Sequence, residues 1–166
     1  MELFLSALTL ELPKLIAHGI KLQFLGQRKQ LSETLNQQMD KAERDTQHNH
    51  RLSLNIALNY SGKWDILNAV EQYLVHQKPE NFNELEFSKY LSTRDLPDPD
   101  LLIRTSGEQR ISNFFLWQIA YTELYFTDVF WPDFDETHFN QALEYYFARE
   151  RRFGKTSQQL KDEKYV

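Results

Sequence analysis

The chain of 166 residues contains no cysteine, and this absence excludes several kinds of chemistry. Without thiols the protein cannot form disulfides, bind a metal through thiolates or use a cysteine nucleophile, and such a composition suits a reducing cytoplasm. Long apolar runs are also missing, since none approaches the ~20 residues that a membrane-spanning helix needs. A secretory signal peptide is not indicated, because Glu2 and Glu11 interrupt the N-terminal segment. We therefore expect a cytoplasmic protein.

Basic residues are in deficit, which argues against a nucleic-acid module. The chain has 19 Lys and Arg against 24 Asp and Glu, a formal net charge of -5, whereas nucleic-acid binders normally carry a basic excess. Neither a glycine-rich dinucleotide loop nor a P-loop occurs. The remaining composition, 41% apolar and 26% charged, is ordinary for a globular protein. We predict a single domain over residues 1–166, with a flexible tail from residue 155.

Apolar residues recur with the periods of helices and strands in alternation. The alternation from Leu52 to Leu58 predicts the clearest strand, and shorter strands are predicted over residues 20–24 and 101–103. The predicted helices cover residues 1–18, 31–46, 63–76, 84–91 and 135–152. Pro13 predicts a kink or a break in the first of them. This order of elements predicts an α/β fold with a central, mainly parallel sheet flanked by helices.

Two loops in the first half of the chain allow more than one interpretation. His48 and His50 can be metal ligands, but no third ligand is apparent, so a solvated turn is favoured. Asn59 and Ser61 follow the clearest strand, and turns in this position face the ligand crevice of α/β proteins. Ser61 can equally be the N-cap of the next helix. The local sequence leaves both interpretations open.

The stretch from Asp100 to Phe126 has the densest set of groups that can bind an anion. Arg104 ends an apolar run, and ligands of α/β sheets lie beyond the carboxyl ends of strands. Arg110 follows across a glycine-containing turn, and Ser112 adds a hydroxyl donor. Backbone N–H groups around Gly107 are expected to donate as well. Together these residues predict a diphosphate site.

Glu123 does not suit a diphosphate site by itself, because a carboxylate repels a phosphate group. A divalent cation between them would remove the conflict, since Mg²⁺ is commonly held by one or two carboxylates and by phosphate oxygens of the substrate. The competing interpretation is structural. In it Arg104 pairs with Asp100 or Glu108, and Glu123 pairs locally. Taken as a set, the residues favour the anion site.

The segment DLLIRTSGEQRISNFFLWQIAYTELYFTDVFWPDF resembles the C-terminal signature of the bacterial cis-prenyltransferases, the isoprenyl transferase or undecaprenyl diphosphate synthase family. The segments MELFLSAL, LNIALNYSGKWDI and RERRFGKT extend the resemblance over nearly the whole chain. The resemblance implies an enzyme that condenses isopentenyl diphosphate with an allylic diphosphate, of the farnesyl diphosphate type. Its product would be a long-chain polyprenyl diphosphate, a membrane-associated lipid carrier for cell-wall synthesis.

The resemblance also implies cofactor, assembly and site residues. It implies a homodimer, Mg²⁺ and a hydrophobic tunnel whose wall includes the strand from Leu52 to Leu58. It assigns Glu123 as the acidic Mg²⁺ ligand. Arg152 and Gly154 match an Arg-x-Gly element that reaches toward the site of the partner subunit. The implied substrate-binding residues are Arg104, Arg110, Ile111, Ser112, Asn59, Arg152 and Gly154.

The chain departs from the family pattern at several positions. Ser61 and Lys63 stand where the family usually has Gly and Arg, and Gln109 stands where it commonly has His. The family segment His-x-Met-Asp-Gly-Asn-x-Arg-Trp-Ala, with its catalytic Asp, does not occur, so no catalytic residue is assigned. The resemblance therefore implies the C-terminal part of such an enzyme, inactive alone. The alternative is a non-catalytic fragment or partner subunit that binds diphosphate and dimerises.

Overall fold

The computed structural model describes residues 2–76 and 82–149, in which helices and strands alternate. In chain order the elements are α1 (Glu2–Ala17), β1 (Ile20–Leu25), α2 (Glu33–Thr46), β2 (Leu52–Ala57), α3 (Gly62–His76), α4 (Glu84–Ser88), β3 (Leu101–Arg104), β4 (Glu123–Phe126), a 3₁₀ turn (Trp131–Asp133) and α5 (Glu136–Phe147). Strand β1 pairs with β2 and β3 pairs with β4, both in parallel. Parallel strands flanked by helices confirm the predicted α/β class.

The chain divides into two compact units, Met1–Asp95 and Leu96–Val166. The first unit contains the β1–β2 pair with α1 to α4, and the second contains the β3–β4 pair with α5. The single domain predicted over residues 1–166 stays a prediction. Among the described residues, no helix has the length and apolar character to cross a bilayer.

The core of the first unit lies against one face of β1. Leu22 and Phe24 are both buried, and they share a face because side chains alternate along a strand. Helices α1 and α2 cover this face. Fully burying one such apolar side chain is worth about 1.5–3 kcal/mol, so this layer dominates the stability of the unit. The buried members of the cluster are Leu8, Leu22, Phe24, Leu35, Met39 and Ala42.

Two backbone N–H groups of β1 that are not bonded to β2 donate instead to side chains of α2. The Leu22 N–H donates to Thr46 Oγ1 at 3.0 Å, and the Phe24 N–H donates to Glu43 Oε1 at 2.7 Å. Arg28 Nη2 donates to both oxygens of Glu43 at 2.8 Å, which fixes that carboxylate. These bonds satisfy the N–H groups of a strand edge that would otherwise be open to pairing with another chain.

Of the kink or break predicted at Pro13, the break is wrong, because α1 continues through the proline, and the kink stays a prediction. The helix continues from Glu2 to Ala17 with Pro13 inside it. Leu12 and Leu15, on either side of the proline, pack against the core of the first unit, while Pro13 itself is exposed. Tertiary packing therefore holds this turn in helical form, and the missing hydrogen bond is on the solvent side.

The other predicted helices are confirmed in type, with shifts at their ends. Ser32 caps α2 as predicted, since its hydroxyl accepts the Leu35 N–H at 3.3 Å. The helix predicted over residues 84–91 ends at Ser88. The last helix ends at Phe147, and the final residues predicted for it, 150–152, lie outside the described residues, as does the tail from residue 155.

Candidate functional site

Arg104 is the last residue of β3, and the structure brings it together with Arg110 and Ser112. Its Nη1 donates to Ser112 Oγ at 3.0 Å and also to the backbone carbonyl of Arg110. No acidic side chain in the described part of the chain pairs with Arg104, so the structural ion pair considered for it with Asp100 or Glu108 is not formed. The guanidinium is therefore held by neutral oxygens at the carboxyl end of a strand, where anionic ligands bind in α/β proteins.

The Arg104 guanidinium keeps donors available for a ligand. Its two recorded hydrogen bonds both use Nη1, and the described residues provide no partner for Nε or Nη2. These two nitrogens form one edge of the planar group and can donate two parallel hydrogen bonds to phosphate oxygens. The position and the free edge together fit the recognition of a phosphate group.

Arg110 has an acidic neighbour. Its Nη1 contacts Glu108 Oε2 in an ion pair, and the Arg110 side chain is 64% exposed. A pair with this exposure is worth about 0–1 kcal/mol, because water screens it. A diphosphate, with more charge than one carboxylate, can therefore replace Glu108 as the partner of Arg110.

Two backbone N–H groups of the glycine turn are engaged within the protein, and anion binding by the others around Gly107 stays a prediction. The Ser106 N–H donates to the carbonyl of Val129 at 2.8 Å, and the Gly107 N–H donates to the carbonyl of Thr127 at 2.9 Å. These bonds tie the loop after β3 to the loop after β4. The side-chain donors available to an anion here are the two guanidinium groups and the hydroxyl of Ser112.

Positive backbone φ angles cluster beside Arg104. Ser106 has φ 70°, Ser112 46°, Asn113 61° and Phe115 46°. Such angles are uncommon outside glycine and cost on the order of 1–3 kcal/mol each, and they concentrate at functional sites. Ile111, between the two site residues Arg110 and Ser112, is half-buried, and its carbonyl accepts the Phe114 N–H at 3.0 Å. The strained turn is what directs the Ser112 hydroxyl at Arg104.

Glu123 lies at the other end of the strand pair. The parallel register sets Glu123 beside Leu101 and Arg104 beside Phe126. Three residues of strand correspond to about 10 Å, and side chains an odd number of residues apart project from opposite faces. Glu123 therefore lies at the opposite end of the strand pair from Arg104, and its side chain projects from the opposite face of the sheet. Its carboxylate accepts Arg149 Nε at 3.3 Å, so it forms an ion pair, although with a residue distant in sequence.

The donor set beside Arg104 does not fit a Mg²⁺ site. Within residues 2–76 and 82–149 no group of three His, Cys, Asp or Glu side chains could hold a metal ion. Glu108, the acid near Arg104, pairs with Arg110. Glu123 is at the opposite end of the strands, about 10 Å away. The assignment of Glu123 as a metal ligand stays a prediction, but this geometry does not favour it.

In the first unit, Asn59 joins the loops that follow β1 and β2. Asn59 has φ 51°, and its Nδ2 donates to the carbonyl of Gln27 at 3.0 Å. In return the Gln27 N–H donates to the Asn59 carbonyl at 3.1 Å. Ser61 Oγ accepts the Trp64 N–H at 3.4 Å, which supports its interpretation as a helix cap. Substrate binding by Asn59 stays a prediction.

The remaining candidate residues lie in a turn of the first unit or outside the described residues. In the turn with His48 and His50, Asn49 Nδ2 donates to the carbonyl of Ile20 at 2.8 Å, so this turn has a structural anchor. Arg152 and Gly154 lie outside the described residues. An open groove between α1 and α2 has no charged group to hold a diphosphate; its lining is Leu5, Ser6, Thr9, Leu10, Thr34 and Gln38.

Sequence comparison matches residues 1–154 to the prenyltransferase family described as "Putative undecaprenyl diphosphate synthase". The ditrans,polycis-undecaprenyl-diphosphate synthase ((2E,6E)-farnesyl-diphosphate specific) of Legionella pneumophila (strain Paris) is 53% identical over 164 residues, which are 95% of this chain and 68% of that protein. The isoprenyl transferase of Chromobacterium violaceum is 49% identical over 160 residues, 96% of this chain and 63% of that protein.

Two solved structures have the same fold. The lavandulyl diphosphate synthase from Lavandula x intermedia, in complex with dimethylallyl diphosphate, superposes with a TM-score of 0.88 at 35% identity, covering 93% of this chain and 70% of that one. A probable undecaprenyl diphosphate synthase from Campylobacter jejuni superposes with a TM-score of 0.85 at 28% identity, covering 93% and 72%. The chain thus spans about two thirds of the length of these similar proteins.

Proposed function

Because the chain belongs to the undecaprenyl diphosphate synthase family of prenyltransferases, we propose that it binds isopentenyl diphosphate for condensation with farnesyl diphosphate. The product is a long-chain polyprenyl diphosphate. The observation that carries the proposal is the group formed by Arg104, Arg110 and Ser112 at the carboxyl end of β3. Its chemistry is that of a diphosphate site, and both substrates of this reaction are diphosphates.

The reaction needs one diphosphate to be held and the other to leave. The allylic substrate loses its diphosphate, its carbon forms a new bond with the alkene of isopentenyl diphosphate, and the isopentenyl unit then loses a proton. The isopentenyl diphosphate group stays intact throughout and is carried into the product. Arg104 and Arg110 are suited to hold this diphosphate group throughout the reaction, since a fixed pair of guanidinium groups anchors it and so orients the alkene.

Mg²⁺ is the divalent cation that we propose for the complete reaction. When bound it would neutralise diphosphate charge and so ease departure of the allylic leaving group. In this chain Glu123 is the residue predicted to bind it, and the strand register separates Glu123 from Arg104. The residues beside Arg104 contribute to the reaction by binding and orienting a diphosphate.

We also propose that the protein acts as a homodimer in the cytoplasm, peripheral to the membrane that receives its product. Support for an interface comes from large apolar side chains that remain exposed in the second unit. Tyr121 is 76% exposed, Phe130 64%, Trp131 73% and Phe147 76%. Large apolar side chains left exposed to solvent are suited to contact a partner subunit. In the first unit, Leu52 and Leu54 on β2 are also exposed, and their part in a tunnel wall stays a prediction.

Calorimetry with isopentenyl diphosphate tests the proposed site. Charge-assisted hydrogen bonds contribute about 1.5–3 kcal/mol, so R104A and R110A should each weaken binding by roughly 10- to 150-fold. S112A removes a neutral partner of Arg104 and should weaken binding by only about fivefold. R94A is the matched control, because Arg94 is an exposed arginine that pairs with Asp95. Unchanged affinity in both R104A and R110A would overturn the assignment.

A turnover assay distinguishes two possibilities for this chain: an active enzyme, and a protein that only binds diphosphate. The chain is incubated with farnesyl diphosphate, labelled isopentenyl diphosphate and Mg²⁺, and labelled polyprenyl products are separated by length. Elongation that is lost in R104A supports the proposed reaction. Binding of isopentenyl diphosphate without elongation agrees both with the expectation that the chain is inactive alone and with the alternative, a non-catalytic diphosphate-binding or partner subunit.

A further inference from the structure

The first unit carries a cluster of exposed cations at the amino ends of β1 and β2. Lys21 is the second residue of β1, Arg51 is the residue before β2, and Arg44 lies in the last turn of α2. Since α2 connects the carboxyl end of β1 to the amino end of β2, its last turn lies at the same end of the sheet as the other two residues. We call this surface the amino-end patch; its members are exposed, and they are Lys21, Arg44 and Arg51, with His18, His48 and His50.

Hydrogen bonds hold together the two turns that form the patch. The Arg51 N–H donates to the carbonyl of Gly19 at 3.0 Å, and Asn49 Nδ2 donates to the carbonyl of Ile20 at 2.8 Å. A Cβ atom at Gly19 would lie 3.4 Å from Arg51 Cβ, so the two turns are in close contact. The turn before β2 is therefore fixed to the start of β1, which keeps Arg51 near Lys21.

The positive charge of the patch is not compensated by acids of the protein. In the part of the chain that the structure describes, no acidic side chain forms an ion pair with Lys21, Arg44 or Arg51. Asp45, the acid that follows Arg44, pairs with Lys41 at 2.7 Å. The chain as a whole has a formal net charge of -5, so a cluster of one sign stands out. A helix dipole accounts for a cation such as Arg44 in a last turn, but not for Lys21 and Arg51, which lie outside helices.

We propose that the amino-end patch docks the protein on the anionic headgroups of a lipid bilayer. The choice of a bilayer rests on the proposed function, since a long-chain polyprenyl diphosphate is too apolar to remain in water and passes to lipid. Lys and Arg side chains at a protein surface are attracted by the negative potential of an anionic leaflet, and each strengthens binding by about fivefold. Three of them give reversible binding, which suits a protein that takes a water-soluble substrate and releases a lipid.

Co-sedimentation of the full chain with vesicles of phosphatidylcholine and phosphatidylglycerol tests the proposal. K21Q/R44Q/R51Q should lower the partition coefficient by roughly 100-fold, and R51Q alone by about fivefold. K29Q/K89Q/R94Q is the matched control, because it makes the same change in net charge at exposed positions outside the patch. The control should bind like the wild-type chain at physiological salt, which screens distant charges.

Several results would overturn the proposal. These are equal vesicle binding by K21Q/R44Q/R51Q and the wild-type chain, an equal loss in the control variant, or binding that does not require phosphatidylglycerol. Nucleic acid is the other polyanion that a basic patch contacts. If the wild-type chain ignores the vesicles and binds duplex RNA through the same three residues, the patch is a nucleic-acid surface and the proposal is wrong.

The diphosphate site is tested separately on the same proteins. By calorimetry, K21Q/R44Q/R51Q should bind isopentenyl diphosphate with wild-type affinity, and R104A should keep its binding to vesicles. Loss of vesicle binding in the patch variant alone supports the docking surface, whatever the result for R104A with isopentenyl diphosphate. Thermal unfolding checks that the patch variant is folded; its Tm should stay within a few degrees of wild type, because the three side chains are exposed.

Discussion

Replacing Gly26 by alanine tests how the loops after β1 and β2 are held together. Gly26 follows β1 directly and has φ +124°, a conformation that side chains rarely adopt. A Cβ atom built at this position lies 2.2 Å from the carbonyl oxygen of Leu58. That oxygen belongs to the backbone, so it cannot rotate away as the end of a long side chain would. G26A must therefore push the two loops apart.

The cost of that separation follows from the bonds that join the loops. The Leu58 N–H donates to the carbonyl of Leu25 at 2.9 Å, and the Gln27 N–H donates to the carbonyl of Asn59 at 3.1 Å. Two lost backbone hydrogen bonds cost about 1 kcal/mol each, and the strained φ of an alanine adds about 1–3 kcal/mol. G26A should lower the free energy of unfolding by about 3–5 kcal/mol, or roughly 10 °C in Tm.

Urea unfolding followed by far-ultraviolet circular dichroism measures this loss, with G19A as the matched control. Gly19 also has a positive φ, +69°, but a Cβ there would meet only Arg51 Cβ at 3.4 Å, an ordinary contact. G19A should therefore cost about 1–2 kcal/mol, the usual penalty for a left-handed residue. Equal stability of G26A and G19A would refute the argument that the Leu58 carbonyl excludes a side chain.

Two further substitutions test contacts outside the candidate site. Thr46→Val should lower the free energy of unfolding by about 1–3 kcal/mol, because it leaves the buried Leu22 N–H without its acceptor at 3.0 Å. T46S, which keeps the hydroxyl, should unfold at a higher urea concentration than T46V. The His138 N–H, followed by the His138 side chain and its charge, lowers the pKa of Asp135 below its usual value. Asp135 is the N-cap of α5, where its carboxylate accepts the His138 N–H at 3.1 Å. The stability that this cap contributes is complete above about pH 4 and is lost as pH falls through the lowered pKa of folded Asp135. Thermal melts between about pH 2 and pH 6 should therefore show a smaller loss of stability in acid for D135N.

The local elements were predictable because their signals are local. Strand β2 follows from strict alternation between Leu52 and Leu58, and the start of α2 follows from Ser32, a residue type that caps helices. Pro13 shows the limit of such signals. Its effect on α1 depends on whether neighbouring leucines pack well enough to hold the turn, and the core against which they pack includes residues far along the chain.

The proximity of Arg104, Arg110 and Ser112 was predictable for a similar reason. A strand end and a short turn bring residues six to eight positions apart into contact, so the group needs little beyond its own segment. The backbone donors of the turn were not predictable in this way. Their acceptors, the carbonyls of Thr127 and Val129, are about twenty residues further along the chain and reach the turn only through the β3–β4 pairing.

Glu123 shows how strand direction separates residues that are close in sequence. Closeness in sequence suggested that Glu123 and Arg104 act on one ligand, but a parallel pair requires the chain to return to the starting end of the sheet before the second strand begins. The last residue of β3 and the first residue of β4 must then lie at opposite ends, whatever their side chains are. An acid that opens the second strand of such a pair is placed to contact what packs at the amino end. In this protein that neighbour is Arg149, at the end of α5.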